Sequence, residues 1–142
     1  ELPMEKYRIP AMIFSEGYIQ PQKFDKLMSQ IDLMPTLFGL LNFSYQSKFL
    51  GQDVFKKEFQ PKAYIATYQD LGFVKDGYMT IISPVKKVKQ YSLTAEQSDL
   101  APEFKYKYDE KLLKKNSEQL INETISAYQS TSYWLKTKQL NR

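Results

Sequence analysis

The chain has 142 residues, 42% hydrophobic and 25% charged, and contains neither histidine nor cysteine. That length suits one compact domain, or the end of a large domain joined to a small one, with apolar material enough for a core. The two absent residue types exclude disulfide frameworks, thiol nucleophiles, zinc ribbons, imidazole metal ligands and Ser-His triads, so a self-contained hydrolase of the common kinds is not expected.

Twenty Lys+Arg against 16 Asp+Glu give a net charge of +4. Such a balance favours an anionic surface only if the charge gathers on one face. Lys86, Lys87 and Lys89 cluster, as do Lys105, Lys107, Lys111, Lys114 and Lys115. Solvated strand and helix faces are the first expectation for such runs. No apolar run approaches the ~20 residues of a membrane-spanning helix. The opening Glu1-Leu2-Pro3-Met4-Glu5 is unlike a signal peptide, and a start without Met suggests a cut or processed end.

In chain order, Ile9-Pro10-Ala11-Met12-Ile13-Phe14 has the pattern of a strand buried on both faces of a mainly parallel sheet, with Pro10 near its start or at an edge. Residues 17–26 carry turn chemistry and form an irregular connection. A helix is expected over 32–41. Asp32 would cap it, Pro35 falls in the first turn, and Leu33, Leu37, Leu40 and Leu41 share one apolar face.

From about residue 61 the pattern changes to strands. Residues 63–68 are rich in β-formers, and Asp76-Gly77 between two β-prone runs is a strong hairpin signal. Ser83-Pro84 ends the second strand, and 85–93 forms another with Val85, Tyr91 and Leu93 on one side. Residues 94–102, with Ser98-Asp99 and Ala101-Pro102, make a polar connector. Then 109–138 reads as one long helix covering the sheet: Leu113, Leu120, Thr124, Tyr128, Thr131 and Leu135 recur at helical spacing, widened by Leu112, Ile121 and Ile125. Asp109 and Glu110 at its start, and Lys136 and Lys138 at its end, would complement the helix dipole. There is no internal repeat.

Catalytic patterns are weak or absent: no GxGxxG, Walker loop, GxSxG or HExxH. Asp32 followed by Thr36 could bring a carboxylate and a hydroxyl to a metal, but a helix cap accounts for Asp32 more simply. Asp53, Asp70 and Asp76 lie beside glycines or turns, where Asx geometry accounts for them. Eleven Tyr, nine Phe and one Trp raise carbohydrate or base stacking, but most of these rings fall on expected strand faces or on the long helix, where packing is the first expectation. Tyr133-Trp134 could form an exposed stacking pair or a lipid-interface anchor, with core docking as the default. Asn42-Phe43-Ser44 and Asn122-Glu123-Thr124 match the short glycosylation sequon.

The order of the motifs carries a resemblance. Tyr7-Arg8-Ile9-Pro10-Ala11-Met12-Ile13-Phe14, Gln20-Pro21, Ser29-Gln30-Ile31-Asp32-Leu33-Met34-Pro35-Thr36-Leu37-Phe38-Gly39-Leu40-Leu41 and Phe49-Leu50-Gly51-Gln52-Asp53-Val54-Phe55 follow one another. This series resembles the C-terminal stretch of sulfatase-like enzymes of the alkaline phosphatase superfamily, most closely the lipoteichoic acid synthase and phosphoglycerol transferase branch. Tyr64-Ile65-Ala66-Thr67-Tyr68-Gln69-Asp70-Leu71-Gly72-Phe73 and Ser83-Pro84-Val85-Lys86-Lys87 also look like that branch. The resemblance covers about residues 7–93, and its most specific part is the Ser29 to Thr36 run with the Phe49 to Asp53 block.

The resemblance implies an α/β fold: residues 1–59 as the C-terminal edge of an alkaline-phosphatase-like sheet domain, and 60–142 as a small subdomain with an antiparallel sheet packed against a long C-terminal helix. In that family a divalent metal (Mn, Mg, Ca or Zn) activates a Thr, Ser or modified Cys nucleophile, and an Asp-His pair closes the metal site before the strand that would be 8–14. None of those residues is in this chain, so no catalytic, cofactor-binding or metal site is carried onto it. The piece alone is expected to be inactive within a parent transferase or hydrolase. That parent would sit in the bacterial inner membrane, with this part on the periplasmic or extracellular side, acting on a phospholipid or a sulfate or phosphate ester. Its partners would be the N-terminal catalytic portion and, through exposed apolar surface, other copies; no nucleic-acid partner is expected. The alternative is a non-enzymatic basic module that binds anionic lipid or a cell-envelope polymer.

Overall fold

The computed structural model describes residues 3–48, 50–97 and 106–137. Five strands follow in chain order as an antiparallel meander: β1 (Lys62–Ala66), β2 (Leu71–Lys75), β3 (Tyr78–Ser83), β4 (Lys87–Gln97) and β5 (Tyr106–Leu112). Helix α1 (Leu33–Leu40) precedes the sheet and α2 (Glu118–Lys136) follows it. The fold is thus α/β in the broad sense, an open antiparallel sheet with a C-terminal helix.

The β2–β3 turn is the one the sequence announces. Asp76 and Gly77 both have positive φ, 52° and 76°, as a two-residue type I′ connection requires. It sets the register Lys75↔Tyr78, and from there Ala63, Val74, Met79 and Tyr91 align across four strands, as do Tyr64, Phe73, Thr80 and Gln90. Residues directly opposite share a face, so these rows belong to opposite faces of the sheet.

Each face has its own cover. The aliphatic row, with Ile65 and Ile81, forms the core with Met4, Tyr7 and Leu27 from the N-terminal segment. A 3-10 turn, Met4–Tyr7, holds that cover, and the Met4 N–H donates to the Glu110 carboxylate on β5 at 2.7 Å. Helix α2 lies on the other face. Thr124 is fully buried there. Tyr128 meets Tyr64 edge to face at 6.0 Å, and its hydroxyl reaches the carbonyls of Gly72 and Ile65 at 2.8 and 3.0 Å. Burial on both faces explains why β2 and β3 each carry three consecutive buried residues instead of an alternating pattern.

Several expectations are corrected. Residues 8–14 form no strand: every described pairing is antiparallel and lies within β1 to β5. Met12 and Phe14 are 91% and 81% exposed. An apolar run becomes a strand only by pairing, and these residues pair with none of the described strands. Val85 lies in the β3–β4 turn with φ 63°, not in a strand. Strand β4 runs on to Gln97, through the first part of the expected connector; 98–105 lie outside the described residues. The long helix begins at Glu118, because Asp109 and Glu110 belong to β5, paired with Thr94 and Leu93. Ser117 is its N-cap, the side chain accepting from the Leu120 N–H. Glu118 and Lys136 supply the charges at its ends; Lys138 lies outside the described residues. The stripe Leu120, Thr124, Tyr128 and Thr131 does face inward, while Leu135 is exposed. In α1 the buried positions are Pro35 and Thr36, not the leucine row, and Leu41 is exposed.

Candidate functional site

The two most specific sequence blocks fold into one knot. Ser29 opens a short 3-10 turn that runs through Asp32 into α1. Asp32, 2% exposed, does not cap α1 with its side chain. One carboxylate oxygen accepts the Ser29 N–H at 2.8 Å, closing the turn behind it, and the other accepts the Gln52 N–H at 2.8 Å. One turn on, the Thr36 hydroxyl donates to the Asp32 carbonyl at 2.6 Å and accepts the Val54 N–H at 3.1 Å. Both polar side chains are thus bonded to backbone groups of residues 29–54, and charge-assisted bonds such as those to Asp32 are among the stronger ones.

Glycines permit the closeness. A Cβ on Gly51 would collide with the Ile31 carbonyl, and one on Gly39 would collide with the Asp53 carboxylate. Asp53 itself accepts the Phe55 N–H at 3.0 Å, the expected Asx turn. Beside the knot lies a cleft of about 230 Å³ whose lining includes Pro35, Tyr45, Gln52, Lys56 and Phe59.

The sequence candidates are therefore distributed as follows. Asp32 and Thr36 do come together, as the centre of this knot, and their bonds run to backbone groups. Among the described residues no group of three or more His, Cys, Asp or Glu could hold an ion. Asp76 serves the hairpin turn. At the β1–β2 turn the Thr67 hydroxyl, not Asp70, is the organising group, accepting the Asp70 N–H at 3.0 Å. Tyr133 and Trp134 do not dock in a core; both are exposed on the last turns of α2. Of the two sequons, Asn42 is exposed just past α1, whereas Asn122 is followed by the fully buried Thr124.

Two polar groups under α2 escaped the sequence reading. Gln90 is fully buried. Its amide donates to the Thr80 hydroxyl and the Ser117 carbonyl, and its oxygen accepts the Ser117 N–H, so it pins the start of α2 to β4. Its only sequence signal is its place opposite Thr80 once the register is known. Across the helix, Lys75 and Glu123 pair at 2.6 Å. That hydrogen bond raises the Lys75 pKa and, with help from Gln119, lowers that of Glu123. Burial pushes the Tyr128 phenol up to about 12, with Tyr64 adding to the effect. Burial, then the Asp32 carboxylate, raises Tyr64 as well. These shifts accompany packing and hydrogen bonds between fold elements. No family model matches the chain, and no solved structure matches it.

Proposed function

We propose that the chain is the C-terminal part of a membrane-anchored, metal-dependent phosphoglycerol or phosphoethanolamine transferase, or of a sulfatase-like hydrolase, and carries none of its catalytic groups. The observation that supports this reading is the ordered motif series together with what its most specific residues do. Asp32 accepts the Gln52 N–H and the Thr36 hydroxyl, Thr36 accepts the Val54 N–H, and Gly39 and Gly51 lie against Asp53 and Ile31, so a motif of this spacing is accounted for as architecture without a reacting atom. Residues 1–59 would complete the sheet domain of the catalytic portion, and 60–142 would be the small subdomain beyond it. The exposed apolar residues Ile9, Met12 and Phe14 are consistent with a segment that a neighbouring part covers.

On this reading the divalent ion and the nucleophile it activates belong to the N-terminal portion, where the ion would neutralise charge developing on a phosphoryl or sulfuryl oxygen. The present residues would contribute rigidity at the edge of that domain. The coding sequence ahead of Glu1 provides the direct test. It should encode a Thr, Ser or Cys nucleophile, an Asp-His pair close to Glu1 and hydrophobic spans. A coding sequence without the nucleophile and the Asp-His pair would overturn the proposal.

A further inference from the structure

One end of the sheet is built unlike the other. In the meander the β1–β2 turn, the β3–β4 turn and the 113–117 segment all lie at the same end. Two of these turns carry a protruding apolar side chain: Tyr68 is 100% exposed and Val85 is 89% exposed. The two hairpins are adjacent, which puts their midlines about 10 Å apart at ordinary strand spacing. Val85 and the following Lys86 both have positive φ, 63° and 57°. A β-branched residue is a rare occupant of that region, where glycine or asparagine would fit without strain. Packing does not explain a valine there, since it touches solvent on nearly all sides.

Lysines flank the Val85 tip. Lys86, Lys87 and Lys89 are exposed on the β3–β4 hairpin, and no acidic residue occurs between Tyr78 and Leu93. Lys114 and Lys115 are exposed in a loop bonded at both ends to Gln90, through the Leu113 N–H and the Ser117 N–H, which places them beside Lys89. Asp70 and Glu118 are the acids near them. Two adjacent apolar tips, one of them flanked by cations, match a bilayer bearing anionic headgroups: the lysines meet phosphate, and the tips enter the boundary between headgroup and chain. A soluble polyanion would use the lysines and leave Tyr68 and Val85 in water.

We infer that this end of the sheet docks the chain on an anionic phospholipid surface through Tyr68 and Val85, with Lys86, Lys87, Lys89, Lys114 and Lys115 contacting the headgroups. The site is independent of the transferase reading, since it needs no catalytic portion and is measured on this chain alone.

Flotation with phosphatidylglycerol-containing vesicles, with phosphatidylcholine vesicles as the control, tests it. The chain should float with the anionic vesicles and not the neutral ones, and added salt should release it. Each Lys→Gln change among Lys86, Lys87 and Lys89 should weaken partition about 5-fold. Val85→Gly suits the local backbone and leaves the hairpin folded; it should weaken partition about 5-fold through lost apolar burial, as should Tyr68→Ser. Absence of binding at low salt, equal binding to neutral vesicles, or lysine dependence without any effect of Val85→Gly and Tyr68→Ser would each overturn the inference. The last pattern would assign the lysines to a soluble polyanion such as a cell-envelope polymer.

Discussion

Replacing Asp32 by alanine removes both acceptors of the knot at once. The Ser29 and Gln52 N–H groups, each bonded at 2.8 Å in the wild type, are left without that partner in a site where Asp32 is 2% exposed. Orphaning a buried donor costs about 1–3 kcal/mol, and both bonds here are charge-assisted, so the sum is about 4 kcal/mol. For a chain of this size that lowers the melting temperature by roughly 8–16 °C. Asp32→Asn keeps one acceptor oxygen but turns an amide group toward the other N–H, and should cost about 2 kcal/mol. Asp53→Ala provides the control. It loses one exposed Asx bond to Phe55 and should cost under about 1 kcal/mol. Urea unfolding followed by circular dichroism ranks the three. If Asp32→Ala lies within about 1 kcal/mol of the wild type, or no lower than Asp53→Ala, the structural account of this motif is refuted.

The two close-approach glycines should separate. Gly51→Ala drives a Cβ into the Ile31 backbone carbonyl and should cost about 3 kcal/mol or more, whereas Gly39→Ala meets only the Asp53 carboxylate, which can swing away, and should cost about 1 kcal/mol, both read from urea midpoints. The Tyr128 phenol is held up to about 12 in the fold against an ordinary 10.0. Its contribution is therefore complete below pH 10 and lost as pH rises toward 12, by about 2 kcal/mol after allowance for the ring's partial exposure. Tyr128→Phe should abolish that part of the alkaline slope and cost about 1–2 kcal/mol at neutral pH, from the hydroxyl bonds to Gly72 and Ile65. Val85→Gly should leave stability unchanged or raise it by up to about 1 kcal/mol, because it relieves a β-branched residue at φ 63°; a clear loss in a thermal melt would mean the side chain is packed.

What could be read from the sequence was local. Asp76-Gly77 determines its own turn, and Leu120, Thr124, Tyr128 and Thr131 repeat at the helical period, so hairpin and helix face were both legible. The error at the helix start has a simple cause: Leu112 and Leu113 happen to continue the spacing, and Asp109 and Glu110 resemble first-turn acids. The true boundary is Ser117, whose side chain accepts from Leu120 and whose N–H is held by Gln90 from β4. The run at 9–14 misled because apolar content marks where a strand could be buried, whereas a strand also needs a neighbour. Asp32 and Thr36 were singled out correctly as a pair and assigned to the wrong work. Their partners, the Gln52 and Val54 N–H groups, lie 20 and 18 residues away and are backbone atoms, which leave no mark on residue type. The sheet's second cover was hidden for the same reason, since Met4, Tyr7 and Leu27 reach across the expected boundary at residue 59 to the face opposite α2.

The central claim is that this chain belongs to a metal-dependent enzyme whose chemistry resides elsewhere in the same protein. The most direct measurement compares phosphodiesterase and sulfatase turnover of the 142-residue chain with that of the protein encoded by its complete reading frame, each with and without added divalent metal. The account predicts no turnover by the chain under any condition and metal-dependent turnover by the complete protein. Turnover by the chain alone, or a complete protein that binds metal yet hydrolyses and transfers nothing, would contradict it.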